Sequence, residues 1–245
     1  MESIYKINGL IFWTEEEIKL RKFFEDMLSL RIKDALMNAN KAWAFHHVEA
    51  PLLTPRDIIN PNYTNKDIWA QEKHDEMDLD LVLRPETTPG SYHYAQHLME
   101  NFLGNPPLCV WQSGKSFRRE QDQVSKNMRL KEFYQMELQC IYTSDTLNDY
   151  QGVMIPIVES AIGQLIHLPT RVVDSERLPS YSLKTVDVEV DNGDKWMEVC
   201  SISKRTDFKH KATFQGKKGA VEKALLVLEI AVGLDRLVYN YKLHK

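Results

Sequence analysis

Apolar residues between Thr14 and Ala39 recur at every third or fourth position. Leu20, Phe24, Leu28, Ile32 and Leu36 form one stripe, with Phe23, Met27 and Ala35 beside it. That spacing winds onto one face of an α-helix. Thr14 stands three residues before Glu17, a hydroxyl at the N-cap and a carboxylate one turn in, which predicts where the helix begins. A face this long predicts packing against a sheet or a second subunit. The segment from Ala44 to Pro51 then reads as a strand ended by proline, which suits a sheet edge. Residues 55–79, rich in Asn, Asp, Pro and Lys, read as a loop region flanking a site. Leu81 to Arg84 is a short apolar strand. The turn Pro85-Glu86-Thr87-Thr88-Pro89-Gly90 predicts a helix capped by Thr88, with Pro89 first, running through Met99.

Leu108 to Gln112 predicts another strand, leading into a hairpin between Lys115 and Tyr142. Its first strand ends in Phe117-Arg118-Arg119-Glu120. Its second opens at Leu130-Lys131-Glu132-Phe133 and alternates through Met136, Leu138 and Cys140. A helix is expected from Ser144 or Asp145 to about Ile166. Ser182 to Val190 and Asp194 to Ser203 flank Asp191-Asn192-Gly193, a tight-turn signal. Ala224 to Ala231 is an apolar run broken by Glu229, typical of a central strand. Gly233-Leu234-Asp235-Arg236 then opens a last helix with Arg236 in its first turn.

Composition narrows the class. With 43% apolar and 27% charged residues over 245 positions, the chain reads as one soluble globular domain, residues 1–245. A net charge of −4 excludes gripping nucleic acid by bulk charge, so any such contact is a local patch. Cys109, Cys140 and Cys200 show neither a disulfide framework nor zinc-site spacing, and a reducing, cytoplasmic setting is the expectation. No apolar run predicts a signal peptide or a membrane span.

Four places carry chemistry. Arg118 and Glu120 lie two apart on one strand face, a guanidinium for phosphate oxygens beside a carboxylate acceptor, and Phe133 on the next strand offers a ring for stacking. Glu86 is held where a strand turns into a helix. Trp196, Glu198 and Cys200 alternate onto one strand face, so Glu198 is expected to point inward and to need a cation or metal. Arg236 opposes the dipole at a helix N-terminus and calls for compensation such as a polyphosphate. The Lys and His cluster at Lys209, His210, Lys211, Lys217 and Lys218 reads as an exposed basic loop.

In order, the helix and strand ending at Pro51, the F-R-R-E hairpin and the G-L-D-R helix start resemble the three signatures of class II aminoacyl-tRNA synthetases. No Walker A loop, dinucleotide fingerprint or nucleophile elbow competes with them. Leu83-Arg84-Pro85-Glu86-Thr87, the Glu198 strand followed by Arg205-Thr206-Asp207-Phe208, and Glu229 in the last strand are similar to glycyl-tRNA synthetases. Two positions depart from that family's ending: Ile230 stands for its proline and Ala231 for its serine. Another small amino acid therefore stays open.

The resemblance implies an α+β fold, an antiparallel sheet flanked by helices, acting as a homodimer through the first helix and strand. It implies a catalytic domain without an anticodon-binding domain, forming an aminoacyl-adenylate from ATP and transferring the amino acid to tRNA. Arg118 and Arg236 would be the catalytic cations, on the α- and γ-phosphates. Phe133 would stack adenine under Arg236, Glu120 would read its amine, and Arg129 and Gln135 would complete the ATP site. Glu198 would hold Mg²⁺ on the phosphates. Arg84, Glu86, Glu137, Glu229 and Ala231 would form the amino-acid pocket. The acceptor stem would meet Lys126 and Arg129 in the hairpin loop and the basic loop at Lys209 and Lys211. Two further readings fit the same core: a non-catalytic accessory subunit that binds nucleic acid, and an adenylate-forming ligase with an acceptor other than tRNA.

Overall fold

The computed structural model of the chain describes residues 5–7, 10–70, 80–119, 128–176, 178–216 and 219–244. The chain opens with β1 (Tyr5–Ile7) and β2 (Leu10–Phe12), then α1 (Glu15–Ala39), β3 (Ala44–His47), β4 (Leu53–Pro55), β5 (Trp69–Ala70) and β6 (Leu81–Leu83). After α2 (Thr88–Glu100) come β7 (Leu108–Phe117), β8 (Glu132–Thr143), α3 (Tyr150–Ile166) and β9 (Thr170–Asp174). The last part holds β10 (Ser182–Asp191), β11 (Trp196–Arg205), β12 (Lys211–Gly216), β13 (Gly219–Gly233) and α4 (Leu234–Leu243).

Among the described residues the main sheet runs β3-β7-β8-β13-β11-β10-β9, with β12 paired to the first part of β13. Its pairings are antiparallel except β3 with β7, which is parallel. The chain leaves β3 and crosses through β4, β6 and α2 before β7, and a crossover of that kind delivers a parallel neighbour.

Pleating gives this sheet two faces. Even positions of β8 (Met136, Leu138, Cys140, Tyr142) and of β13 (Leu228, Ile230, Val232) join Val186, Val188 and Val190 of β10 in the large core. The buried stripe of α1 (Phe24, Leu28, Ile32, Leu36) and residues of α3 and α4 complete that core. Odd positions face the other way. At one end they are apolar (Ile141, Leu225, Val227) and α2 covers them through Ala95 and Met99. At the other end they are polar, and α2 meets them through its first residue, Thr88, hydrogen-bonded to Glu137, Gln139 and Glu229.

Several boundaries differ from the periodicity. The segment read as a loop at 55–79 contributes to a small sheet, β4-β6-β5, over a satellite core of Ile59, Ile68 and Val82. Strands of two or three residues show no period. α3 begins at Tyr150 rather than at residue 144 or 145, because the Asp149 carboxylate accepts from Gly152 N–H at 3.1 Å and fixes the start there. The β10–β11 connection spans four residues, with Gly193 at φ +86° and the Asn192 side chain accepting from the Asp194 and Lys195 amides. In α2 the cap is Thr87 rather than Thr88, and Thr88 is the first helical residue. α1 matches its expected start and its capping box with Glu17.

The burial of α1 can be checked by truncation. Leu28→Ala, in a fully buried position, should cost about 2–5 kcal/mol. Arg31→Ala, on the exposed side of the same helix, should stay within about 0.5 kcal/mol. Equal losses in denaturant unfolding would mean that the buried stripe is misplaced.

Candidate active site

The uncovered polar half of the sheet is the floor of a cavity of about 990 Å³. Phe133, Gln135 and Glu137 reach it from β8 and Glu229 and Ala231 from β13, all at odd positions of strands whose even positions are core. Phe133 and Glu137 are four residues apart, so about 14 Å of strand separates them at roughly 3.4 Å per residue.

One end is acidic. Glu86, Glu137 and Glu229 are all buried. Glu137 Oε2 accepts from the hydroxyls of Thr87 and Thr88 at 2.6 and 2.9 Å, and Oε1 accepts from the Gln135 amide at 2.8 Å. The threonines of the α2 start are therefore turned onto a carboxylate instead of capping their own helix. Glu229 Oε2 accepts from Gln139 at 2.8 Å and is ion-paired with Arg205. Arg205 is also held by Asp207, with Nε to Oδ1 at 3.0 Å and Nη2 to Oδ2 at 2.6 Å, and its guanidinium lies 4.0 Å from the Tyr181 ring centre. Glu86 receives the Tyr63 hydroxyl at 3.2 Å on Oε2, while its buried Oε1 has no hydrogen-bond partner among the described residues.

Arg205 is thus shared by Glu229 and Asp207, and Glu86 and Glu137 are left in excess. Burial raises the Glu86 carboxyl above its ordinary range. Burial, with Glu229 and Glu86 nearby, pushes Glu137 up to about 7. The cluster is built to receive a cation.

The other end is cationic. Arg118 donates from Nε to the Pro85 carbonyl at 3.0 Å. Its guanidinium carbon lies 5.2 Å from the Phe133 ring centre and 5.5 Å from that of Tyr63. Arg118 therefore stands between the Phe133 platform and the acidic pocket. Arg236 donates to the Glu198 carbonyl at 2.7 Å and lies 3.5 Å from its carboxylate. That contact supplies compensation for a cation in the first turn of α4. Among the guanidinium groups of this cavity, that of Arg118 lies against the Phe133 ring face.

Glu198 is not where alternation puts it. Val188 pairs with Cys200 but Glu189 pairs with Glu198, so Val199 is an extra residue, a β-bulge. Cys200 turns into the core while the Glu198 side chain stays 50% exposed and lines the cavity. Beside it, burial pushes Asp187 up to about 6, with Glu198 and Glu189 adding to the rise and a Ser175 hydrogen bond opposing it.

Of the expected site residues, Arg118, Arg129, Phe133, Gln135, Glu198 and Arg236 line this cavity, as do Glu86, Glu137, Glu229 and Ala231. Arg84 does not. It is buried, with Nε donating to the Lys115 carbonyl at 2.8 Å and Nη1 to the Ala50 carbonyl at 2.8 Å, so it clasps backbone rather than a substrate. Glu120, Lys126, Lys217 and Lys218 lie outside the described residues. Sequence reasoning did not single out Tyr63, Thr88, Gln139 or Arg205 as site residues. A signal for Gln139 existed: Gln135, Glu137 and Gln139 alternate with apolar residues inside one strand, polar groups that a core face would not carry.

Comparison with known proteins agrees with this architecture. The chain is 30% identical to a glycine–tRNA ligase of Cutibacterium acnes over 185 residues, 67% of this chain and 39% of that protein. It is 31% identical to one from Mycoplasmopsis synoviae over 177 residues, again 67% and 39%. One from Mycobacterium bovis shares 27% over 227 residues, 80% of this chain and 48% of the relative. The chain thus spans less than half the length of these curated relatives. Among solved structures, a prolyl-tRNA synthetase from Cryptosporidium parvum complexed with halofuginone and AMPPNP superposes with a TM-score of 0.75 at 13% identity, over 99% of this chain and 49% of that one. At that identity the likeness speaks for the fold. Residues 68–242, from the small sheet through α4, match the family described as tRNA synthetase class II core domain (G, H, P, S and T). That stretch contains both ends of the cavity, and the chain belongs to this class II tRNA synthetase core-domain family.

Proposed function

We propose that the cavity activates a small amino acid, glycine foremost, with ATP to form an aminoacyl-adenylate, and passes the amino acid to the 3′ end of a tRNA. The observation that carries this is the position of Arg118. It neighbours the Phe133 ring on one side and, through Tyr63, the Glu86 pocket on the other. Adenine on Phe133 and an ammonium at the carboxylates put the α-phosphate and the substrate carboxylate side by side at Arg118. The substrate carboxylate attacks the α-phosphorus, pyrophosphate leaves, and the tRNA hydroxyl later displaces AMP from the acyl carbon. No protein nucleophile is required. Arg118 and Arg236 neutralise charge on the phosphates, and alignment in one cavity contributes the rest.

The donor set fits Mg²⁺ brought in on the triphosphate. No cluster of three or more His, Cys, Asp or Glu side chains able to hold a metal occurs among the described residues, but Glu198 offers a half-exposed carboxylate in the cavity. Glu198, with Asp187 beside it, would hold that ion, which would offset phosphate charge. A homodimer through α1 belongs to the same proposal, supported by Phe23 and Leu30, half exposed on its outer side. No described helix is long and apolar enough to cross a membrane.

Pyrophosphate exchange measured with each amino acid is the direct test, and glycine or another small amino acid should support it best. Exchange driven best by Phe or Lys would reject this reading. Arg118→Ala should lower kcat/KM for exchange by about 10²–10³-fold, as removing one charge-stabilising donor does, while thermal unfolding stays near that of the parent chain. A loss below threefold would show that Arg118 does not face the reacting phosphate.

The acidic pocket sets a pH dependence. With Glu137 titrating at about 7, the pocket holds a proton below that pH which the substrate ammonium has to displace. KM for the amino acid should therefore rise about tenfold from pH 8 to pH 6, one protonation giving tenfold per unit below the pKa. Glu137→Gln should raise KM at pH 8 and flatten the profile. An unchanged slope in that variant would place the titration elsewhere.

A further inference from the structure

The ladder between β8 and β13 ends with Gln135 opposite Gly233. One residue further along β8, the Tyr134 N–H is accepted by the Asp235 carboxylate at 2.9 Å. A side chain in the first turn of α4 thus continues the ladder after the strand has stopped. Asp235 is 3% exposed, burial pushes its carboxyl up to about 7, and its Oδ1 has no hydrogen-bond partner among the described residues. A buried acid with one oxygen engaged and one without a partner is costly to keep for packing alone.

The ring of Tyr134 is held from other directions. The Arg21 guanidinium of α1 lies 3.4 Å from its centre and the Lys115 ammonium 5.7 Å. Lys115 is itself paired to Glu132 at 2.7 Å. Tyr134 is therefore fixed through its backbone by α4 and through its ring by α1 and β7. The residues next to this junction both line the cavity. Phe133 precedes Tyr134, and Arg236 follows Asp235. Each is one rigid peptide unit away from the hydrogen bond.

We infer that Asp235 is a positioning residue for the nucleotide, its bond to the Tyr134 amide fixing the end of β8 that carries Phe133 against the start of α4 that carries Arg236. Both side chains line the cavity, and neither β8 nor α4 determines their relative placement alone. The inference rests on the adenylate reading above.

The test uses this chain with a non-hydrolysable ATP analogue in calorimetry, alongside exchange kinetics and thermal unfolding. Asp235→Ala should weaken analogue binding and raise KM for ATP about tenfold or more, the size of one lost charge-assisted hydrogen bond, while KM for the amino acid stays within about twofold. Asp235→Asn, which keeps an acceptor oxygen, should restore most of the binding. Asp235→Ser suits a helix start but is too short to reach the amide, and should repeat the loss if the alanine variant does not fold. Unchanged analogue affinity in Asp235→Ala or Asp235→Ser overturns the inference. So does an equal loss for ATP and amino acid, or an asparagine variant as impaired as alanine. No analogue binding by the parent chain overturns the adenylate reading itself.

Discussion

Two carboxylates on one face of the main sheet, Glu137 and Glu229, and a third from the turn before α2, Glu86, set the terms for everything around them. An ionised carboxylate taken out of water without partners costs several kcal/mol, so Glu86, Glu137 and Glu229 have to be met by donors placed in advance. The donors come from across the chain: Tyr63 from the segment before β5, Thr87 and Thr88 from the start of α2, Gln135 and Gln139 from β8, Arg205 from β11. α2 begins where it does with its threonine hydroxyls directed away from their own amides. Arg205 in turn is held by Asp207 and flanked by Tyr92 and Tyr181. The pocket is a hydrogen-bonded network in which Glu86 Oε1 and Gln139 Oε1 are acceptors left without a partner among the described residues.

The same requirement shapes the layers. A pleated strand shows alternate side chains to opposite faces, and β8 puts Met136, Leu138 and Cys140 on the helix side and Gln135, Glu137 and Gln139 on the other. An apolar helix can cover the first face along its whole length, and α1, α3 and α4 pack into one core with it. On the second face the apolar residues of α2 cover the apolar end, at Ile141, Leu225 and Val227, and only its first residue, Thr88, reaches the polar end. Over the polar end an apolar helix would leave carboxylates and amides unpaired, so that end is a cavity. The site exists where the sheet cannot be covered by hydrophobic packing.

The cationic side depends on smaller devices. The bulge at Val199 turns Glu198 out to the cavity while Cys200 goes to the core. Arg236 sits in the first turn of α4, opposing the helix dipole, and is stabilised there by the carbonyl and carboxylate of Glu198. Arg118 gains from its place over Phe133 and beside Tyr63, where ring faces favour a guanidinium.

What the sequence by itself determined was what depends on neighbours along the chain. The four-residue stripe and the Thr14–Glu17 box define α1, alternation defines β8, and an apolar run followed by Gly233 defines β13 and the turn into α4. The resemblance of short motifs to class II synthetases brought Arg118, Phe133, Glu137, Glu229 and Arg236 together before any coordinates did. Local pattern failed where structure is made by distant partners. β5 has two residues and exists because β6 pairs with it. The bulge at Val199 is invisible in an alternation read from β11 alone, and so Glu198 was expected on the face of Cys200. Arg84 carries the same charge whether it meets a substrate or the carbonyls of Ala50 and Lys115, and only the approach of those strands decides between them. Tyr63, Thr88 and Arg205 stand 23, 49 and 24 residues from the glutamates they touch. Register and crossover bring them there, and those are properties of the packed sheet rather than of any single segment.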